Sequence, residues 1–389
     1  MRVSLTDIAH HGAAVGRANG QVVFADYGLP GEEVIVAVEE RRPTFLRGRV
    51  VDVLRASPRR AFPPCPYFGE CGGCQWQHAD YSYQLELKQH IISEQMQRVA
   101  GLAEIEVPPL VPSPHLWHYH NHARLVADEA GQLGFRRLRA HEVVYIGFCW
   151  IMHLPISFAL QKLQRLTYRP GQEVVVRAGV CTGDLLVQPR LPLDLPTGQA
   201  HLEEELQGRR YRISRDAFFQ VNTLQAERLL SLVAEGLQPQ PNEHLLDLYG
   251  GVGTFGLALA ERVRRVTEVE DSPAGVEDAR HNARGLDRVR VLLGRVENVV
   301  KTLKGRIDCA VVDPPRAGLA PSALRALVGL RPSRIAYVSC DPATLARDLR
   351  RLIDAGYQVV RLQPLDMFPQ TFHIETVALL HRGQRKALK

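Results

Sequence analysis

No run of about 18 apolar residues occurs in the chain, so a membrane-spanning helix is not indicated. The first residues, MRVSLTDIAHHGAAVG, lack the apolar stretch of a secretory signal. A cytoplasmic location with reduced thiols is therefore expected. No fixed-period repeat or low-complexity tract is visible, which argues against a solenoid or array. The seven cysteines are an odd number and come without a secretion signal. They do not read as a disulfide framework, and a cluster among them points to metal binding or catalysis.

The 389 residues suffice for two or three domains. Hydrophobic residues make up 45% and charged residues 23%, the mix of a soluble globular protein. A formal charge of +6 and a pI near 9.0 fit a polyanionic partner. Residues 1–56 alternate apolar and polar positions between glycine turns, with VVFADY, EVIVAVEE and RGRVVDVL as strands. So many short strands predict a small OB-like β-barrel, a type that often binds nucleic acid. Residues 57–64, SPRRAFPP, read as a linker opening a central domain over 57–212. That domain holds a cysteine-rich segment, an amphipathic helix ending at Gly101, and mainly antiparallel strands over 119–210. Over 213–389 strands alternate with helices, which predicts a doubly wound α/β domain with a parallel core.

The chemistry-bearing residues fall at predicted strand ends of this last domain. LLDLYGGVGTFGLALA places glycines at 250, 251, 253 and 256 on a strand-to-helix turn. They permit positive φ and close approach of a ligand to the backbone. Glu270 ends the next strand, where an acid accepts ribose hydroxyls. A dinucleotide oxidoreductase and a methyl transferase both remain open at this point. A later strand ends in Asp313-Pro314-Pro315-Arg316, a stiff loop with no evident use in hydride transfer. Cys340 ends the following strand in YVSCDPATLARDL, and Glu375 begins the last one. A thiolate adding to carbon 6 of uracil makes carbon 5 nucleophilic, and a carboxylate then removes the carbon-5 proton. The thiol needs activation, which the following helix and Arg316 are expected to supply by lowering its pKa.

The motifs FFQVN (218–222), DLYGGVG (247–253), DPPRAG (313–318), SCDPATLARDL (339–349) and HIETVALL (373–380) together resemble the RNA uracil-5-methyltransferase family. The resemblance implies a Rossmann-like domain that moves a methyl group from S-adenosylmethionine to a uridine in RNA. It makes Cys340 the nucleophile and Glu375 the proton acceptor. It gives Gln220, Tyr249, Gly251, Thr254, Glu270 and Asp313 to the methyl donor, with Arg316 near the pyrimidine or the nucleophile. Thr254 stands where the family often has asparagine.

CPYFGECGGC sets Cys65, Cys71 and Cys74 together, with Cys149 far along the chain. Spacing alone leaves zinc and an iron–sulfur cluster open. The C-x3-C-x2-C spacing of radical enzymes is absent, which argues against radical methylation. The family resemblance implies a [4Fe-4S] cluster on these four cysteines and a TRAM-type barrel in front. Both features point to ribosomal RNA, 23S in particular, with transfer RNA as the alternative and a non-catalytic RNA-binding or folding factor as another. Cys181 and Cys309 sit in apolar runs and are expected to be buried. The target uridine must leave its stack, so a loop or bulge is expected. SPRRAF, GFRRLRAH and LQGRRYRIS are candidate phosphate contacts. A monomer is expected.

Overall fold

The computed structural model describes residues 1–383. Alternating apolar residues at the start fold into β1 (Arg2–Ile8), β2 (Ala14–Ala18), β3 (Gln21–Asp26), β4 (Glu33–Arg41) and β5 (Phe45–Arg55). These close into a barrel of order β1-β2-β3-β5-β4. Val3, Leu5, Val23, Val34, Val36 and Leu46 are buried in the core it shares with its surroundings. Closure leaves no free strand edge to pair with another chain.

The segment 57–64 is no loose linker. Arg60 reaches back to the barrel and pairs with Glu32 at 2.5 and 2.7 Å, while also donating to the Tyr27 carbonyl. Helix α1 (Tyr81–Gln95) starts where the Asp80 side chain accepts the Tyr83 N–H, a cap that satisfies one orphan donor. It runs on through a π-turn and stops at Gly101, whose φ of 69° no ordinary helix continues. The central strands are β6 (His122–Ala127), β7 (Leu133–Arg136), β8 (Val143–Tyr145), β9 (Glu173–Ala178) and β10 (Leu185–Gln188). They form an antiparallel sheet of order β10-β9-β6-β7-β8. Helix α2 (Leu154–Leu163) packs on it through Leu160 and Leu163 against Leu125, Val174 and Val176. A hairpin of β11 (His201–Leu206) and β12 (Arg209–Ser214) follows.

The last third begins with α3 (Thr223–Leu237), capped by the Asn222 side chain. Then come β13 (His244–Leu248), α4 (Thr254–Leu259), β14 (Arg265–Glu270), α5 (Pro273–Asn282), β15 (Val289–Leu293), α6 (Val296–Val299) and β16 (Cys309–Val312). After these stand α7 (Pro321–Leu330), β17 (Arg334–Ser339), α8 (Pro342–Asp354), β18 (Tyr357–Leu365) and β19 (Glu375–Arg382). The sheet order is β15-β14-β13-β16-β17-β19-β18, parallel from β15 to β17, with β19 inserted antiparallel between β17 and β18. Every residue of β13 and β16 is buried, as expected for strands covered on both faces. The chain reverses direction across the sheet between β13 and β16, and ligands of such sheets bind at the strands' carboxyl ends there. The barrel and the doubly wound sheet are those expected, and residues 384–389 of the last segment lie outside the described residues. GTFGLALAERV is not one helix: α4 gives way to a single 3-10 turn over Ala260–Arg262, because Val263 is already extended toward β14.

The loop before β19 is fastened to α1. Lys88 donates to Asp366 at 2.6 Å, both side chains fully buried, and to the Phe368 carbonyl at 3.1 Å. Gln84 and Gln370 exchange hydrogen bonds at 2.9 and 3.0 Å. Among the described residues no helix is long and apolar enough to cross a membrane.

Candidate active site

The sheet register brings the two reacting groups together. In the β17–β19 pair Ser339 stands opposite Thr376. Cys340 comes one residue after Ser339 and Glu375 one residue before Thr376, so thiol and carboxyl share one edge despite their separation in sequence. Glu375 is 3% exposed, and Cys340 is half-buried. β16 ends on the same edge and hands over to the loop of Asp313 and Arg316. Arg316 is the cation facing both Cys340 and Glu375. Its Nη2 lies 3.2 Å from His373 Nε2.

Burial is the larger effect on the Cys340 pKa and works against Arg316, which lowers it as expected. Burial pushes the Cys340 thiol up to about 12, the nearby Glu375 adds to this, and Arg316 offsets only part. Desolvation outweighs the guanidinium. Glu375 is held well above the usual carboxyl range, first by burial and then by Asp313. Both groups are thus shifted toward their protonated forms by burial.

The glycine loop sits at the carboxyl end of β13. Tyr249, Gly251 and Gly253 take φ of 63°, 61° and 93°. A Cβ on Gly250 would lie 2.4 Å from Glu268 Cγ, so that position admits only glycine. Glu270 accepts the N–H of Gly251 at 2.9 Å and of Ser272 at 2.7 Å, which ties the carboxylate to the loop. Gln220 donates to Asp313 at 3.3 Å, and Thr254, 7% exposed, opens α4 beside the loop. All six residues assigned to the methyl donor thus come to one edge.

Two residues at this edge escaped the sequence reading. Asp247 and Glu268 stand opposite each other in the β13–β14 pair, both fully buried. Asp247 accepts the Gly256 N–H at 2.7 Å, but its other oxygen and both oxygens of Glu268 have no partner. Burial pushes Asp247 up to about 7, Asp313 up to about 8, and Glu268 well above the usual range. Glu375, Asp313, Asp247, Glu268 and Glu270 form an electrostatically linked row. The clue to Glu268 was the alternation in VTEVE, which puts it on the face of Glu270.

A family model described as tRNA (Uracil-5-)-methyltransferase matches residues 195–383, and a TRAM domain model matches residues 1–51. An uncharacterized RNA methyltransferase of Streptomyces avermitilis is 37% identical, with 97% of each chain covered. One from Gloeobacter violaceus is 34% identical, covering 98% of this chain and 96% of its own. The chain belongs to the RNA uracil-5-methyltransferase family. Among solved structures, the Pyrococcus abyssi tRNA (uracil-54, C5)-methyltransferase in complex with S-adenosyl-L-homocysteine matches with a TM-score of 0.79 at 28% identity, covering 98% of this chain and 99% of that one.

Three further features of this methyltransferase bear on the sequence reading. Cys65, Cys71, Cys74 and Cys149 line one cavity with Tyr67, Phe68, Phe135 and Trp150. Burial raises all four thiols, Cys149 to about 12, and Cys74 feels the other three. Among the described residues no group of three or more His, Cys, Asp or Glu is placed to hold a single metal ion. Cys309 is buried as expected, whereas Cys181 is exposed in the turn between β9 and β10 rather than in a core.

The basic segments proposed as phosphate contacts are largely engaged within the chain. Arg59 pairs with Asp80 and Glu86, and Arg60 with Glu32. Arg137 pairs with Glu142 at 3.0 Å and Arg139 with Asp26 at 2.5 Å. Arg212 pairs with Asp278 at 2.7 Å and with Glu277 at 2.9 Å. Most of these arginines hold elements together, a role that charge runs in a sequence do not reveal.

Proposed function

We propose that this methyltransferase moves a methyl group from S-adenosylmethionine to carbon 5 of a uridine in RNA, with Cys340 as nucleophile and Glu375 as base. The observation that carries the reading is the register that sets Cys340 beside Glu375, next to the glycine loop. The Cys340 thiol loses its proton to solvent, and the thiolate Sγ bonds to carbon 6 as the carbon-5–carbon-6 double bond opens to an enolate. The ring's enolate then attacks the sulfonium methyl and releases S-adenosylhomocysteine. Glu375, as carboxylate, takes the carbon-5 proton, the Sγ–carbon-6 bond breaks, and 5-methyluridine leaves. Gln220, Tyr249, Gly251, Thr254, Glu270 and Asp313 hold the donor, and Arg316 faces the pyrimidine. The donor's cationic sulfonium favours ionised acids along the row, and Arg316 favours the thiolate.

The cavity lined by the four cysteines is where we assign the [4Fe-4S] cluster that the family resemblance implies. The cluster would be held by Cys65, Cys71, Cys74 and Cys149 and would cross-link two distant segments. Iron and acid-labile sulfide analysis of anaerobically purified protein tests this. Iron that survives a Cys74→Ala change would refute the assignment.

Ribosomal RNA, 23S in particular, is the target we place first, from the barrel and the four-cysteine pattern together. The full-length likeness to an archaeal tRNA enzyme favours transfer RNA as the second reading. Mass spectrometry of 5-methyluridine in separated ribosomal and transfer RNA, from cells with and without the gene, decides between them. No loss from either pool, together with no transfer by purified protein to either RNA, would refute the proposal.

A further inference from the structure

The barrel touches the nucleophile's own turn. Residues 9–13 join β1 to β2, closed by hydrogen bonds from the Ala9 N–H to the Ala13 carbonyl and from the Gly12 N–H to the Ala9 carbonyl, each 2.8 Å. His10 Nε2, at the tip, lies 3.1 Å from Asp341 Oδ2. Asp341 follows Cys340 and caps α8, its Oδ1 accepting the Thr344 N–H at 2.9 Å. Its N–H also donates to Ser339 Oγ at 3.2 Å. The residues on either side of Cys340 are thus tied to each other, and His10 holds the remaining carboxylate oxygen.

The docking has further anchors. Trp76 Nε1 donates to the Gly12 carbonyl at 2.9 Å. Gly12, with φ of 79°, lies so close to the loop before β19 that a Cβ would stand 2.6 Å from Phe372 Cβ. His11 meets the Phe372 ring edge-on, and Phe372 leans on His373, which contacts Arg316. His10 Nδ1 is buried and unpartnered, which places the proton of a neutral ring on Nε2, facing Asp341.

We propose that His10 is a positioning residue: by hydrogen-bonding Asp341 it holds the Cys340 turn in its reactive geometry, so that the barrel forms part of the catalytic apparatus as well as a platform for RNA. The inference rests on Cys340 being the nucleophile. Without His10, the Asp341 carboxylate keeps only its cap on Thr344, and the half-buried carboxylate beside the thiol loses the imidazole hydrogen bond that fixes it. Both effects slow addition to carbon 6 and leave the donor crevice alone. The charged and titratable groups around the pair include His11, His373, Arg316 and Arg347, with Arg47 and Arg139 beyond His11, together with the thiol itself.

The test compares His10→Ala and His10→Gln with the parent protein. Both are measured for kcat, for KM with RNA and with S-adenosylmethionine, and for the rate of covalent adduct formation on RNA carrying 5-fluorouridine, whose fluorine blocks the elimination step. A melting curve accompanies each variant. His10→Ala is expected to lower kcat and the adduct rate by about tenfold, the scale of losing a group that orients a reacting one, with both KM values within about twofold. His10→Gln, which restores an N–H donor, is expected to recover most of the rate. A His10→Ala protein that raises only KM for RNA would overturn the proposal, because His10 would then be an RNA contact. So would an unchanged adduct rate, or a folded His10→Gln protein as slow as His10→Ala. Cys340→Ala runs alongside: if it still forms the adduct, the nucleophile assignment falls, and that outcome is distinct from a failure of His10.

Discussion

Replacing Glu375 by glutamine separates the two halves of the reaction. Glutamine keeps the shape of the side chain and cannot accept the carbon-5 proton. Burial and then Asp313 push the Glu375 carboxyl well above its usual range, so an uncharged amide of the same shape is a mild replacement. The fold and the donor crevice are therefore undisturbed, and the melting temperature is expected to stay where it is. Addition of Cys340 is spared, because Glu375 contributes there only by raising the thiol's pKa. Elimination loses its base, which is worth about 10²–10⁴-fold, or about 3–5 kcal/mol of barrier. Turnover should fall by that factor while a methylated protein–RNA adduct accumulates. A denaturing gel with methyl-labelled donor reads the adduct, and multiple-turnover transfer reads the loss. Turnover within tenfold of the parent, or its loss without any adduct, would refute the assignment of Glu375 as base.

Lys88→Met strands a buried Asp366 carboxylate and is expected to cost about 3–5 kcal/mol in a urea melt, whereas adding Asp366→Leu should restore most of it. The row of acids with raised pKa values must ionise to meet a cationic donor. S-adenosylmethionine affinity is therefore expected to rise with pH through 7 and 8, where Asp247 and Asp313 titrate, and to rise less for the uncharged thioether of S-adenosylhomocysteine. Calorimetry in buffers of different ionisation enthalpy would show proton release for the first ligand, and equal pH slopes for both would count against the row's role. Arg60→Gln leaves the buried Glu32 without its partner, so about 3 kcal/mol of stability should go while RNA affinity of the folded protein stays put. A titration of labelled RNA checks the second half.

The strand–helix rhythm of the last third was legible because parallel strands covered on both faces read as short apolar runs, as CAVV and IAYVS do. Cys340 and Glu375 stood out because each sits at a strand end next to turn residues. That they act as a pair was expected from their chemistry, but the strand order that joins them was not legible, since nothing local tells that β19 runs antiparallel between β17 and β18. Glu268 was hidden for another reason: a buried acid without partners breaks the expectation that strand interiors are apolar, and such breaks concentrate at functional sites. Cys181 misled because it follows an apolar run, yet it falls in the turn after it. The basic segments misled because pairing is a property of the fold, as Arg212 with Asp278 shows. His10 carried no signal beyond a turn, and its importance comes entirely from what the barrel packs against.

The interior position of β19 bears on how the enzyme is made. β17 and β18 are synthesised before it, and neither can pair with the other until β19 arrives between them. A nascent or truncated chain ending near residue 370 would therefore present two long unpaired strand edges, the kind of surface that drives aggregation. The same late strand brings Glu375, so no partial chain can hold a completed thiol–carboxyl pair. Sheet closure and the thiol–carboxyl pair therefore arrive together, with the last strand.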